Sequence, residues 1–169
     1  FTYSTYSQTL LWSDEFNGSQ LDETIWTYAI GDGCAEGICG WGNQELQTYT
    51  NNNTAIVNGK LVITARRENV AGKEFTSARL LTKDKVSVKY GRVEASIKLP
   101  NMNNGLWPAF WMLGDGNRWP YTGEIDIMEA GFNAMSTDVN AVAKANVFWR
   151  AEDAGVTGNL QYGNEDEFK

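Results

Sequence analysis

The chain has 169 residues, 42% of them hydrophobic, and a formal net charge of -7 without a single histidine. Its acidic charge argues against nucleic acid, which recruits clustered Lys and Arg, and against strongly anionic glycans for the same electrostatic reason. The lack of histidine excludes Ser-His-Asp and Cys-His catalysis and the usual His-ligated zinc sites, and leaves carboxylates as the acid/base groups.

The length and apolar content fit a single domain over residues 1–169. No run approaches the roughly 18 apolar residues of a membrane span, and no charged-then-apolar leader opens the chain. We therefore expect a mature, soluble protein without a membrane partner.

Two cysteines, Cys34 and Cys39, stand close together between glycines near the start of the chain. Such a pair can close a small disulfide loop if the geometry permits, whereas two reduced thiols would be ordinary in a cytosolic protein. We favour the disulfide and, with it, a secreted or periplasmic location, because disulfides persist in oxidising compartments.

Residues 41–49 (WGNQELQTY) collect amide and acid groups in a segment bounded by glycine. Asn43 and Glu45 are candidates for binding a hydroxylated substrate, although the segment could equally be a polar loop. Arg79 could likewise hydrogen-bond a sugar or pair with an acid on a neighbouring strand.

Short β-prone runs separated by turn residues recur through the chain, and no long helical stripe appears. The runs are 55–57, 60–65, 86–90, 91–99 and 105–113. The dipeptide at 58–59 (NG) predicts a tight hairpin between the first two. This pattern predicts an all-β sandwich or barrel.

Residues 105–113 (GLWPAFWML) are apolar on both faces and predict a central strand carrying Trp107 and Trp111. The following turn-rich loop supplies Trp119. Flat aromatic rings suit the apolar faces of sugars, so these three residues are candidate substrate contacts. For any one of them alone, packing in the core is the simpler interpretation.

Residues 124–129 (EIDIME) place three carboxylates in an apolar, β-branched run, where an unpaired charge is costly. Alternation puts Glu124 and Asp126 on one face of a strand and Glu129 on the other. A β-bulge near residues 127–128 would bring Glu129 to the same face, and we predict that bulge.

Three clustered carboxylates cannot all ionise freely, so the pKa of at least one is raised above its ordinary value. Carboxyl groups with different pKa values suit glycosidic bond cleavage, which uses one as an acid and one as a carboxylate. Acids so close in one strand predict carboxyl groups roughly 5 Å apart and thus a retaining double displacement. The alternatives are a solvated strand edge or a cation site, although Ca²⁺ usually takes flexible loop ligands.

The segments 12–18 (WSDEFNG), 42–50 (GNQELQTYT), 107–112 (WPAFWM) and 124–129 together resemble glycoside hydrolase family 16, and within it bacterial laminarinases, which are endo-1,3-β-glucanases. The resemblance implies a β-jelly roll of two curved antiparallel sheets. It also implies that Glu124 is the nucleophile, Glu129 the general acid/base and Asp126 a residue that tunes the nucleophile. The implied partner is a neutral β-glucan.

The resemblance implies no cofactor for catalysis but a structural Ca²⁺, with Glu15 and the carbonyl of Gly59 as candidate ligands. Members of the family are longer by several strands. We therefore expect a jelly roll lacking its C-terminal strands, completed by an absent segment or a second chain. Alternatives within the same scaffold are a mixed-linkage β-1,3-1,4-glucanase, a neutral galactan hydrolase and a non-catalytic β-glucan-binding module.

Overall fold

The computed structural model describes residues 8–116, 118–131, 138–150 and 157–163. The regular elements of this part are short strands and two 3₁₀ turns, so the predicted all-β class is confirmed. None of its segments forms a helix long and apolar enough to cross a membrane. The strands are β1 (Thr27–Ala29), β2 (Gln47–Tyr49), β3 (Thr54–Ile56), β4 (Leu61–Ile63), β5 (Arg66–Val70), β6 (Lys73–Ser77), β7 (Arg79–Leu81), β8 (Ala109–Leu113), β9 (Glu124–Ala130), β10 (Ala143–Arg150) and β11 (Thr157–Gly163).

The chain divides into two compact units, Phe1–Arg92 and Val93–Lys169. The first unit holds three small sheets, ordered β1-β7, β2-β6-β5 and β3-β4. Their pairs are antiparallel except for β2 and β6, which run parallel. The interpretation of residues 1–169 as one catalytic domain stays a prediction.

The predicted hairpin at Asn58-Gly59 is confirmed. β3 and β4 pair antiparallel, and the backbones of Val57 and Lys60 exchange hydrogen bonds of 2.9 and 3.1 Å across the turn. Asn58 and Gly59 both have positive φ, 51° and 66°. A two-residue turn of this kind needs that conformation at both positions, which is why Asn-Gly forms it readily.

The second unit holds one antiparallel sheet in the order β11-β10-β9-β8. Its outer strand β11 pairs with β10 from Lys144 opposite Gly163 to Arg150 opposite Thr157. The sequence predicts no strand in this last segment, because its residues are mostly polar, and that prediction is wrong. Polarity was a poor guide because an antiparallel strand can keep one face in water.

Three other predicted strands also differ from the structure. β8 begins at Ala109 instead of residue 105, and in the described part of the chain it is an edge strand instead of a central one. Residues 86–99 form no strand. Alternating side chains favour an extended backbone, but a strand also needs a hydrogen-bonded neighbour, and no described segment pairs with these residues.

A small apolar cluster anchors the sheet of the second unit on one side. Met102, Ala130 and Ala143 are buried there, and Met128 packs against them. Two of these residues, Met128 and Ala130, come from β9. Their burial fixes one face of β9, so the side chains on its other face are held in register as well.

Candidate active site

β9 contains a bulge at the predicted place. Against β8, Trp111 lies opposite Asp126 and the preceding residue Phe110 lies opposite Met128, so Ile127 has no partner on that strand. The register of β10 shifts at the same point, between the residues opposite Asp126 and Glu129. An extra residue at this position reverses the alternation of side chains beyond it.

The bulge brings the three acids to one face of the sheet, here called the acid face. Cross-strand partners share a face, and Glu129 now lies on the side that carries Glu124 and Asp126. The central carboxyl, Asp126, is only 3% exposed and hydrogen-bonds with both Glu124 and Glu129. The predicted bulge, which gathers these carboxylates on one face, is confirmed.

Two of the predicted tryptophans bind the outer acids directly. The Nε1 of Trp107 donates to Oε1 of Glu129 at 3.0 Å, and the Nε1 of Trp119 donates to Oε2 of Glu124. Both indoles keep open surface, at 44% and 59% exposure. An indole that holds a carboxylate and still shows its ring to solvent can also stack on a sugar.

The third tryptophan, Trp111, lies opposite Asp126 in β8 and is partly buried on the acid face. Trp107 does not lie in β8 as predicted, because the strand begins only after Pro108. Proline has no backbone N–H to give to a sheet. The irregular backbone before β8 nevertheless carries the Trp107 indole to Glu129.

The loop between β8 and β9 holds Trp119 beside the acids. It is closed by a bond of 3.0 Å from the N–H of Gly114 to the carbonyl of Gly123. A Cβ at position 114 would lie 1.7 Å from the carbonyl oxygen of Thr122, so this close approach requires glycine. The Trp119 ring also lies 6.2 Å from the ring of Phe148 on β10.

Three residues of β10 complete the acid face, and the sequence analysis did not assign any of them to the site. Phe148, Asn146 and Lys144 lie opposite Glu124, Asp126 and Glu129 respectively. Asn146 and Lys144 are buried, at 3% and 5% exposure. Alternation along β10 could have shown that the three share a face, but only the register shows that the face is that of the acids.

Partial burial and mutual repulsion change the acidity of the outer carboxyls. Burial, with the negative charge of Asp126, raises the pKa of Glu124 to about 7, while the Trp119 hydrogen bond acts against this rise. The same two causes raise the pKa of Glu129 above its ordinary value, opposed by Trp107 and Asn146. The cluster therefore keeps a proton to near-neutral pH, as acid catalysis requires.

Asn43 and Glu45, which the sequence analysis proposed as substrate contacts, lie in the first unit. The Nδ2 of Asn43 reaches Oε1 of Glu45 at 3.4 Å. The other oxygen of Glu45 accepts from Nε2 of Gln47 at 2.7 Å and from the hydroxyl of Tyr49 at 2.5 Å. The structure thus joins these residues into one polar network and does not leave them as separate loop side chains.

Arg79 begins β7 in the same unit. Its guanidinium lies 4.5 Å from the centre of the Trp41 ring, and that ring lies 5.8 Å from the ring of Tyr49. This cation–π contact is a third arrangement, beyond the sugar contact and the acid pair that the sequence left open. The contact involves Trp41, for which the sequence predicted no role of its own.

The predicted metal ligands and the cysteines also lie in the first unit. Glu15 is exposed, and the Asn17 amide oxygen lies 3.8 Å from where a Cβ of Gly59 would be. The side chain of Asn17, two residues after Glu15, thus brings one oxygen atom near the Gly59 turn. Within the described ranges no three acidic, histidine or cysteine side chains cluster as a metal site. Cys34 and Cys39 are joined by a disulfide.

Comparison with known proteins places these features in a family. Residues 41–160 match the XgeA-like catalytic domain of glycoside hydrolase family 16. The β-glucanase of Rhodothermus marinus is 48% identical over 134 residues, which are 73% of this chain and 44% of that protein. Glucan endo-1,3-beta-glucosidase A1 of Niallia circulans is 42% identical over 135 residues, which are 72% of this chain and 20% of that one.

Among solved structures, the catalytic domain of an endo-1,3-beta-glucanase (laminarinase) from Thermotoga petrophila RKU-1 is 39% identical, with a TM-score of 0.80. The alignment covers 94% of this chain and 64% of that one. The chain therefore spans less than half of the two sequence relatives and less than two thirds of this structure. It has the β-jelly-roll fold over that part, and it belongs to glycoside hydrolase family 16.

Proposed function

We propose that this chain is the catalytic part of a retaining endo-β-glucanase that hydrolyses internal β-1,3-glucosidic bonds of laminarin-type glucans. The observation that carries the proposal is the bulge in β9, which sets Glu124, Asp126 and Glu129 on one face. Relatives named as glucan endo-1,3-beta-glucosidase and laminarinase support the substrate class.

In this proposal Glu124 attacks the anomeric carbon while Glu129 protonates the leaving oxygen, and Glu129 then activates a water to release the product. Asp126 hydrogen-bonds with both glutamates, which supports the short separation that a retaining enzyme needs. Burial and the charge of Asp126 raise the pKa of both glutamates, so the pair holds a proton near neutral pH, and the assignment of Glu129 as the proton donor comes from the resemblance to the family. For Glu124, the Trp119 N–H favours the ionised form that attacks.

The substrate contacts that we propose differ in their support. Trp107, Trp119 and Trp111 belong to the acid face itself. Asn43, Glu45 and Arg79 have polar or cation–π partners within the first unit, so their contact with sugar stays a prediction from the sequence.

The test is hydrolysis of laminarin, barley β-glucan and agarose by the purified chain, with the Glu124→Ser and Glu129→Gln variants alongside. We expect laminarin to be cut fastest, the first product to appear as the β-anomer by NMR, and both variants to be inactive. Fastest cleavage of barley β-glucan would instead indicate a mixed-linkage enzyme. Glucan affinity without turnover, in the chain and in its full-length protein, would indicate a binding module.

We also propose a structural Ca²⁺ held by Glu15 and the carbonyl of Gly59, a secreted or periplasmic location, and a further segment or second chain that completes the fold. The Cys34–Cys39 disulfide supports an oxidising compartment. Apolar side chains with high exposure, such as Ile125 at 47%, support the proposal that a further segment or a second chain covers them. A rise in melting temperature with added Ca²⁺, reversed by EDTA, would test the metal.

A further inference from the structure

Asn146 is a buried amide that is bound at one end only. Its side chain is 3% exposed, and its Nδ2 donates to Oε2 of Glu129 at 2.5 Å. Its Oδ1 is buried and accepts no hydrogen bond from any residue that the structure describes. A buried acceptor without a donor is costly, so an orphan of this kind calls for a physical explanation.

Because Oδ1 accepts no hydrogen bond from the described residues, the bond to Glu129 is what orients the amide. An amide carries two donors on nitrogen and an acceptor oxygen, and it exchanges them by turning about its last side-chain bond. When Glu129 is ionised, the NH₂ group must face it. When Glu129 is protonated, the oxygen can face it and accept the carboxyl O–H. Among the residues that the structure describes, no hydrogen bond to Oδ1 opposes that turn.

A double displacement requires both protonation states of one carboxyl in every turnover. The acid/base residue donates its proton to the leaving oxygen and then takes a proton from water. A fixed donor would favour only the ionised state, and a fixed acceptor only the protonated one. An amide that turns can serve both.

We propose that Asn146 is a positioning residue that binds Glu129 in both of its protonation states by exchanging its NH₂ and oxygen ends. The inference rests on the proposed function for its purpose in catalysis. The hydrogen bond itself can be tested without turnover. Asn146 is expected to donate when Glu129 is ionised and to accept when Glu129 is protonated.

The groups that face Glu129 define what else controls its proton. On β9 these are Asp126, which hydrogen-bonds to it, and Glu124 beyond. On β10 the buried Lys144 lies directly opposite. From the β8 side come Ala109 and the neutral indole of Trp107. All of them are unchanged in variants at position 146, so such variants isolate the amide.

The direct test is an NMR titration of the chain labelled with ¹³Cδ-glutamate and side-chain ¹⁵N-asparagine. We expect the ¹⁵N signal of Asn146 to shift with the same midpoint as the ¹³Cδ signal of Glu129, and to stay constant in Glu129→Gln. An Asn146 signal that does not follow Glu129 in the wild-type protein would overturn the proposal. Glu129→Gln also identifies the Glu129 signal by its disappearance.

Two substitutions separate the two ends of the amide. Asn146→Leu keeps the size and removes both the donor and the acceptor, whereas Asn146→Asp keeps an acceptor and adds a charge. We expect the midpoint of Glu129 to stay close to the wild-type value in the leucine variant, because an amide that serves both protonation states favours neither, and to rise in the aspartate variant, whose negative charge opposes ionisation. Asn103→Leu, an exposed control in the same unit, should leave it unchanged. A clear rise of the midpoint in the leucine variant would show that Asn146 is a fixed donor and would contradict the proposal.

Activity gives an independent reading. Both half-reactions use Glu129, so Asn146→Leu should lower kcat and kcat/KM together by about tenfold or more, with the basic limb of the pH profile close to that of wild type. Activity equal to wild type would contradict the role in catalysis. If wild type does not cut any glucan, the proposed function fails, while the titration still decides how Asn146 binds Glu129.

Discussion

The indole of Trp119 donates a hydrogen bond to the carboxylate of Glu124, the residue that opens β9. The donor comes from the loop between β8 and β9, five positions earlier in the chain. Its ring stays 59% exposed and leans toward Phe148. One side chain therefore supports the ionised form of the proposed nucleophile and offers an aromatic surface beside it.

Trp119→Phe should separate these two roles, because phenylalanine keeps an aromatic ring but has no N–H. Without the donor, the ionised form of Glu124 is less stable and its pKa rises further. We expect the acidic limb of the kcat/KM profile to move to higher pH and the rate at pH 6 to fall by about tenfold, with a smaller change in KM. Steady-state rates on laminarin from pH 4 to 9 measure both.

Trp149→Phe is the matched control. Trp149 lies on β10 next to Phe148, so alternation puts it on the face away from the acids. We expect its pH profile to match wild type. An unmoved acidic limb in Trp119→Phe would show that the indole hydrogen bond does not control Glu124.

The bulge makes a second prediction, concerning deletions in β9. Removing Ile127, the residue without a partner on β8, leaves Glu129 two positions after Asp126, where simple alternation keeps both on one face. Removing Ile125 instead makes Glu124 and Asp126 adjacent, and sends them to opposite faces. We expect the first deletion to keep measurable hydrolysis and the second to abolish it.

Both deletions remove one isoleucine from one strand, so each controls for the other. Circular dichroism and urea unfolding should show that both proteins remain folded, and initial rates on laminarin then give the comparison. Equal loss of activity in the two folded variants would mean that the face on which the acids lie is not what matters.

The sequence predicted those features of the site that depend on one strand, and it missed those that depend on how two strands pair. The bulge at Ile127 could be predicted from a single strand. Catalysis needs the three acids on one face, and plain alternation would put Glu129 on the other, so an extra residue had to lie between them. Asn146 and Phe148 could not be found in this way. Their place beside the acids depends on the register between β9 and β10, and neither strand alone specifies its register.

The same dependence on strand pairing explains which parts of the fold the sequence could predict. The Asn58-Gly59 hairpin was predictable since the turn residues themselves fix the pairing. Residues 86–99 show the converse, because alternation there favoured strands that the described chain does not pair. The strand at Thr157–Gly163 was missed for want of an apolar pattern, although its partner β10 supplies the hydrogen bonds.

Protonation of Glu124 predicts how stability depends on pH. The pKa of this carboxyl is about 7 in the folded protein against an ordinary value of 4.5, so between these values the folded state binds more protons than the unfolded state. Stability therefore falls as pH rises from about 4.5 to 7. We expect Glu124→Gln, which does not titrate, to show a flatter dependence over this window.

Melting temperatures measured at several pH values between 4.5 and 7.5 give the test. Glu36→Gln removes a carboxyl from the exposed loop between the two cysteines, and serves as a control for the loss of one acid. The control should keep the wild-type slope. A slope equally steep in Glu124→Gln would assign the effect to other groups.

Asn53 makes a last prediction, for the stability of the first unit. Its side chain is fully buried, and its Nδ2 donates to the Thr64 carbonyl at 2.7 Å and to the Thr76 hydroxyl at 2.8 Å. Its Oδ1 accepts from the Thr50 hydroxyl at 2.5 Å. Asn53→Ala leaves these groups short of partners and opens a small cavity, so we expect a loss of about 3 kcal/mol in the free energy of unfolding.

The neighbouring Asn52 provides the comparison for Asn53, since it is exposed and belongs to the same 3₁₀ turn. Asn52→Ala should change the free energy of unfolding by no more than about 0.5 kcal/mol. Urea unfolding of the two variants, followed by tryptophan fluorescence, measures the difference. If Asn53→Ala unfolds at the same urea concentration as Asn52→Ala, the buried amide does not hold the β2-β6-β5 sheet to the turn before β3. A large difference would identify Asn53 as the polar centre of the first unit, where buried hydrogen bonds replace the apolar contacts of an ordinary core.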